Sequence, residues 1–247
     1  MFIIDTNYIK KYNTSITLKA GDIVIDYIKR TGKLLFGLFL YSLGLTLSIQ
    51  ANVGLAPWDA FSIGVSNISG LTYGNVSIFT GIIILIVVAG FLKEKIGFGT
   101  LLNTVLIGIF VDLMQSIKLI PFMTNFYLGI LMLLSGQVVV SLATYFYISS
   151  GMGCGPRDTL MVALGKLLPK VPIGAIRGSI EGTVLIIGFM LGAKVGIGTV
   201  IAVFGISFIL QTTFKLLKFD VKAVVHENIF ETFINIKNIL FKKIEDC

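Results

Sequence analysis

The chain has 247 residues, 55% of them hydrophobic and only 13% charged, with a formal net charge of +7 and a mean hydropathy of +0.92. A soluble domain carries about 25% charged residues, so most of this surface does not face water. Two cysteines, Cys154 and Cys247, and a single histidine, His226, exclude a disulfide framework, a zinc site and a His-based triad as first readings.

No metal, no cofactor and no enzymatic activity is therefore expected. The basic excess sits mainly in the tails and some loops. There it reads as a topology and anionic-lipid signal, not as a nucleic-acid face.

The first 30 residues carry Asp5, Lys10, Lys11, Lys19, Asp22, Asp26, Lys29 and Arg30. That is too polar for the apolar core of a signal peptide, and residues 1–32 read as a cytoplasmic leader. A membrane-crossing helix needs roughly 20 mostly apolar residues to span about 30 Å of hydrocarbon. Six segments qualify, at about 33–51, 74–92, 97–116, 126–148, 173–191 and 196–214. Two linking segments, 53–72 and 151–172, begin rich in Gly and Pro and hold helix-like stretches at 58–68 and 157–168. Both stretches are too short or too polar for a confident span. Residues 217–247 form a basic tail, in which 221–244 reads as an amphipathic interfacial helix; a partner-binding helix is the alternative.

A shift of 99 residues superposes the two halves. Val53-Gly-Leu-Ala-Pro-Trp-Asp59 falls on Met152-Gly-Cys-Gly-Pro-Arg-Asp158, and Lys95-Ile-Gly-Phe-Gly-Thr100 on Lys194-Val-Gly-Ile-Gly-Thr199. One offset joining two motifs reads as a duplication, with repeats at 33–123 and 124–216. The distribution of Lys and Arg decides the topology. Six spans with both termini inside leave five internal basic residues in and two out. Letting both short helices cross puts Lys93, Lys95, Arg157 and Lys194 outside, against three inside. The expected architecture is therefore all-α: six transmembrane helices plus two short re-entrant helices, in an inverted 3+3 repeat. Paired broken segments in such a repeat point to a midplane binding site.

In Gly153-Cys-Gly-Pro-Arg-Asp158, Gly153 and Gly155 let the backbone bend and Pro156 suits the first helical position. Asp158 then lies in the first turn, at the positive end of the helix dipole. Arg157 adds a fork for a carboxylate or oxyanion, so Gly153, Cys154, Gly155, Arg157 and Asp158 are candidate solute contacts on the cytoplasmic side. Simple helix initiation, with Arg157 at the headgroups, is the competing reading. Pro57, Trp58 and Asp59 would form the matching outer gate, although Trp58 replaces the arginine and also suits an interfacial anchor. Arg177 and Glu181, four apart on one helix face, and Asp112 in the third span are expected to line the route; for Asp112 an interhelical hydrogen bond is the alternative. An ionisable residue within a span is costly unless paired or facing a cavity. A structural ion pair and snorkelling are the alternatives for Arg177 and Glu181.

The chain resembles the bacterial YczE-like membrane proteins of the wider YczE/YyaS/YitT group. The resemblance rests on Gly54-Leu-Ala-Pro-Trp-Asp59, Tyr73-Gly74, the stretch from Gly97 to Asn103, Gly108 with Asp112, Gly153-Cys-Gly-Pro-Arg-Asp158 and Gly196-Ile-Gly-Thr199. It implies a multi-pass protein of the bacterial inner membrane and carries no established substrate. The expectation is a secondary transporter or permease for a small anionic solute. The alternative is a non-transporting scaffold or assembly factor acting through its tails. Expected partners are the solute and membrane lipids, with anionic lipid at the basic tails, and a homodimer is left open.

Overall fold

The computed structural model describes residues 20–221, 224, 226–229 and 232. Among them the fold is all-helical, with eight helices: α1 (Ala20–Gln50), α2 (Pro57–Ser69), α3 (Tyr73–Gly90), α4 (Phe98–Ser116), α5 (Phe126–Ser149), α6 (Pro156–Leu167), α7 (Ile173–Met190) and α8 (Ile197–Leu216). Six of them, all but α2 and α6, are long and apolar enough to cross a membrane. The 13 residues of α2 and 12 of α6 give only about 20 Å and 18 Å of helix. Large apolar side chains such as Ile83, Ile86, Phe189, Met190, Phe204 and Phe208 face outward. Lipid accepts that surface and water would not: this is a membrane protein.

The helix boundaries follow local chemistry. Proline opens both short helices at their first positions, where a missing N–H costs nothing. The Thr72 hydroxyl accepts from Asn75 N to start α3, and Asn125 accepts from Tyr127 N and Leu128 N to start α5. Helix α1 departs from expectation: it begins at Ala20, well ahead of residue 33, so part of the segment read as leader is helical. The reason is tertiary, since Tyr27 and Arg30 both bond to Glu227. The tail segment expected to be amphipathic lies almost wholly outside the described residues.

The pair α1 and α5 forms the spine and runs antiparallel. A Cβ on Gly37 would come 2.8 Å from Tyr147 N, and one on Gly136 would come 2.6 Å from Ser48 Oγ. Each glycine thus lets one backbone approach the other closely, as small residues do between membrane helices. The residues 37 and 136, and 48 and 147, are each separated by 99. The main apolar core runs beside this seam, from Leu34, Leu38 and Leu45 to Tyr73, Ile107, Val111, Tyr147 and Met152.

The short helices cross over. Helix α2 leans on α7, with Ala60 and Gly64 against Gly188. Helix α6 leans on α3, with Ala163 among Ile84 and Val88.

Candidate functional site

Two extended loops lead to the short helices and are held alike. Gly99 N donates to Met152 O at 2.7 Å, and Gly198 N donates to Val53 O at 2.9 Å. The next residue in each loop is a glycine at φ +128° (Gly153) or +132° (Gly54), a region that side chains rarely tolerate. Space is missing too. A Cβ on Gly153 would meet Thr100 Oγ1 at 2.5 Å, and one on Gly54 would meet Thr199 N at 2.8 Å.

From Gly153, packed at the start of α4, the chain passes Gly155, which faces Asn103 more than a turn further along. Pro156 then begins α6 beside Gly81, at the middle of α3. The far end of α6 returns to the end of α3, where Lys166 pairs with Glu94 at 2.8 Å. The C-terminal end of α2 lies near the last turn of α7, where Asn67 Nδ2 donates to Gly192 O.

The first turns of α2 and α6 meet at a cavity of about 150 Å³ lined by every helix except α8. At the meeting point the Arg157 guanidinium sits over the Trp58 ring, 4.9 Å from its centroid, a cation–π contact. Among the described residues Arg157 forms no direct ion pair; it bonds to Tyr73, lies near Tyr41 and feels the charge of Asp59, which Tyr73 also bonds. Asp158 accepts from Tyr147 Oη at 3.3 Å. On the α7 wall Arg177 Nε donates to Glu181 Oε1 at 2.8 Å.

Of the expected site residues, Trp58, Gly155, Arg157, Asp158, Arg177 and Glu181 line this cavity. Gly153 and Cys154 lie behind it in the loop, and Cys154 is half-buried. Pro57 is buried at the start of α2. Asp59 is 2% exposed and accepts from Tyr73 Oη at 2.8 Å. Asp112 does not line the cavity. Its carboxylate accepts from Gly74 N at 2.7 Å and from the Thr72 hydroxyl, clasping α4 to the start of α3. A carboxylate at a helix N-terminus gains from the dipole, and that accounts for an acid deep in the third span.

Sequence reasoning passed over Tyr41 and Tyr147, whose rings pack edge to face at 6.0 Å on the cavity wall. The available signal was a phenol within an apolar span, since a buried Tyr hydroxyl needs a partner. It also passed over the far end of the chain. Glu227 accepts from Arg30 at 2.6 Å and from Tyr27 at 2.8 Å, and its N–H donates to Gly151 O. Arg30 in turn donates to the carbonyls of Ser150 and Gly151. The loop feeding α6 is thus bound at its root to α1 and to the segment at Glu227.

The chain is 32% identical over 166 residues to the uncharacterized membrane protein YczE of Bacillus subtilis, covering 67% of this chain and 76% of that protein. It is 31% identical over 178 residues to an uncharacterized protein of Haemophilus influenzae, covering 72% and 80%. It is 29% identical over 168 residues to the uncharacterized protein YyaS of Bacillus subtilis, covering 68% and 83%. No solved structure matches it. Residues 28–215, which carry both loop motifs and every cavity wall, match the model of the family of unknown function DUF6198, and the chain belongs to that family.

Proposed function

We propose that the protein is a secondary transporter or permease of the bacterial inner membrane, with both termini cytoplasmic, for a small solute bearing an anionic group. On this reading its halves are inverted repeats, and α2 and α6 are re-entrant helices entering from opposite faces. The site lies between their tips. The observation that carries the reading is the Arg157–Trp58 contact: two loop-borne helix starts converge on one cavity, with an arginine that has no direct ion-pair contact to a described carboxylate. The paired glycine contacts at one offset and the antiparallel α1–α5 seam support the inverted arrangement. Non-helical backbone at membrane depth is tolerated only where protein or a water-filled cavity surrounds it. Both loops meet that condition through their backbone bonds to α4 and α8.

The test is exchange from sealed proteoliposomes loaded with a mixture of small organic acids and amino acids. Wild-type vesicles should release some of them selectively, and Arg157→Ala vesicles, with the protein folded by thermal melting, should not. Wild-type release no greater than from empty vesicles removes the permease reading.

One observation favours the scaffold alternative: the segment around Glu227 is built into the bundle through Arg30 and Gly151. Truncation after Thr232 keeps that attachment. Lost biological activity with unchanged vesicle exchange would favour the scaffold role.

A further inference from the structure

The cavity presents two charges of opposite sign whose hydrogen-bonding capacity the protein uses only in part: Arg157 reaches Tyr73, and Asp158 accepts from Tyr147. Arg157 and Asp158 are consecutive in the first turn of α6, so their side chains leave the helix about 100° apart. One lies on Trp58 and the other reaches Tyr147. A guanidinium has five N–H donors and a carboxylate about four acceptor positions. Arg157 has no ion-pair partner among the described residues, and the one side-chain hydrogen bond to Asp158 is a long one, at 3.3 Å. Arg177 and Glu181 line the same space but satisfy each other at 2.8 Å.

The signs of these four residues cancel. A bare anion would gain Arg157 while meeting Asp158 and Glu181, and would add an unbalanced negative charge to a water-poor site, which is costly. A solute carrying both signs answers both residues and enters with no net charge. The α2 loop offers no such pair. Trp58 stands where Arg157 would be, and Asp59 is buried and engaged by Tyr73.

Resting on the permease reading, we propose that the solute is a small zwitterion of the amino-acid type, with its acid on Arg157 and its amine on Asp158. Size agrees. A cavity near 150 Å³ takes a guest of about six non-hydrogen atoms, the size of benzene, and alanine and β-alanine fall in that range.

The protein supplies its own probe, because Trp58 is its only tryptophan. Purified protein in nanodiscs is titrated with alanine, β-alanine and γ-aminobutyrate, and in parallel with propionate, butyrate and propylamine. At least one zwitterion should change Trp58 emission saturably, at a concentration tenfold or more below that of any acid or amine alone. Asp158→Asn should erase that preference, bringing zwitterion and acid to equal affinity.

An acid or amine binding as tightly as the best zwitterion overturns the proposal and leaves the permease reading standing. So does silence across the zwitterion series while loaded proteoliposomes still exchange acids. Silence from every probe, together with proteoliposomes that exchange nothing, overturns both.

Discussion

Glu227 offers the sharpest energetic test, because its carboxylate binds α1 while its N–H binds the loop before α6. Its carboxylate is 3% exposed and faces Arg30, whose side chain is 19% exposed. Tyr27 Oη and the Thr232 hydroxyl also donate to it. Removing one partner of a buried pair costs about 3–5 kcal/mol, because the other charge is left uncompensated. Here Arg30 keeps the carbonyls of Ser150 and Gly151 and some water, so Glu227→Gln should cost less, about 2–3 kcal/mol. For a chain of this size that lowers the melting temperature by about 4–12 °C, read by thermal unfolding of the detergent-purified protein. Arg30→Met alone should be comparably damaging. The double variant should lose about 1–2 kcal/mol less than the sum, since contacting residues couple. A melting temperature within about 1 °C of wild type for Glu227→Gln, or strict additivity of the two changes, would refute the reasoning.

Gly153→Ala should cost about 2–6 kcal/mol, combining a strained positive φ with a methyl driven into Thr100. Gly178→Ala on α7, where a Cβ meets nothing, should be neutral or stabilising by up to about 1 kcal/mol; melting curves for the two variants check the contrast. Asp112→Ala leaves Gly74 N–H without its acceptor and should cost about 1–2 kcal/mol in thermal unfolding. Vesicle exchange should survive that change, and lost exchange with an unaltered melting temperature would return Asp112 to the solute route. In a cysteine-free background, Ser69→Cys and Leu168→Cys should react with an impermeant maleimide from opposite faces of sealed vesicles. Labelling from one face would end the inverted arrangement.

Much of the fold was legible because hydrocarbon imposes simple rules. Runs of about 20 apolar residues had to be spans, and Pro57 and Pro156 marked two helix starts almost to the residue. The glycines at 54 and 153 announced turns that only glycine makes. Arg157 stood out as a charge in an otherwise apolar context, and it does line the cavity. Asp112 stood out by the same logic but lies off the cavity, bonded to the start of α3. Sequence spacing cannot tell a carboxylate aimed at a solute from one aimed at a neighbouring helix start, here Gly74. Tyr147 and Glu227 were missed for a related reason. Their partners lie 11 and 197 residues away in sequence, and no local period encodes such meetings. The early start of α1 was hidden similarly: the polar run from Asp22 to Arg30 looks like a leader until Glu227 is brought against it.

The roots of the two loops are fastened with unequal strength. At Asn52 the fastening is one partly buried bond, from Asn52 Nδ2 to Met123 O at 3.0 Å, and the exposed ammonium of Lys194, bonded to the Asn52 carbonyl at 2.6 Å and its side-chain oxygen at 2.7 Å. Water and salt weaken such an attachment. At Gly151 it is a sheltered knot of guanidinium, carboxylate and backbone. Local opening begins where the fewest protected bonds resist it. Of the two loop roots, the one at Asn52 is thereby the readier to part and the one at Gly151 the last to yield.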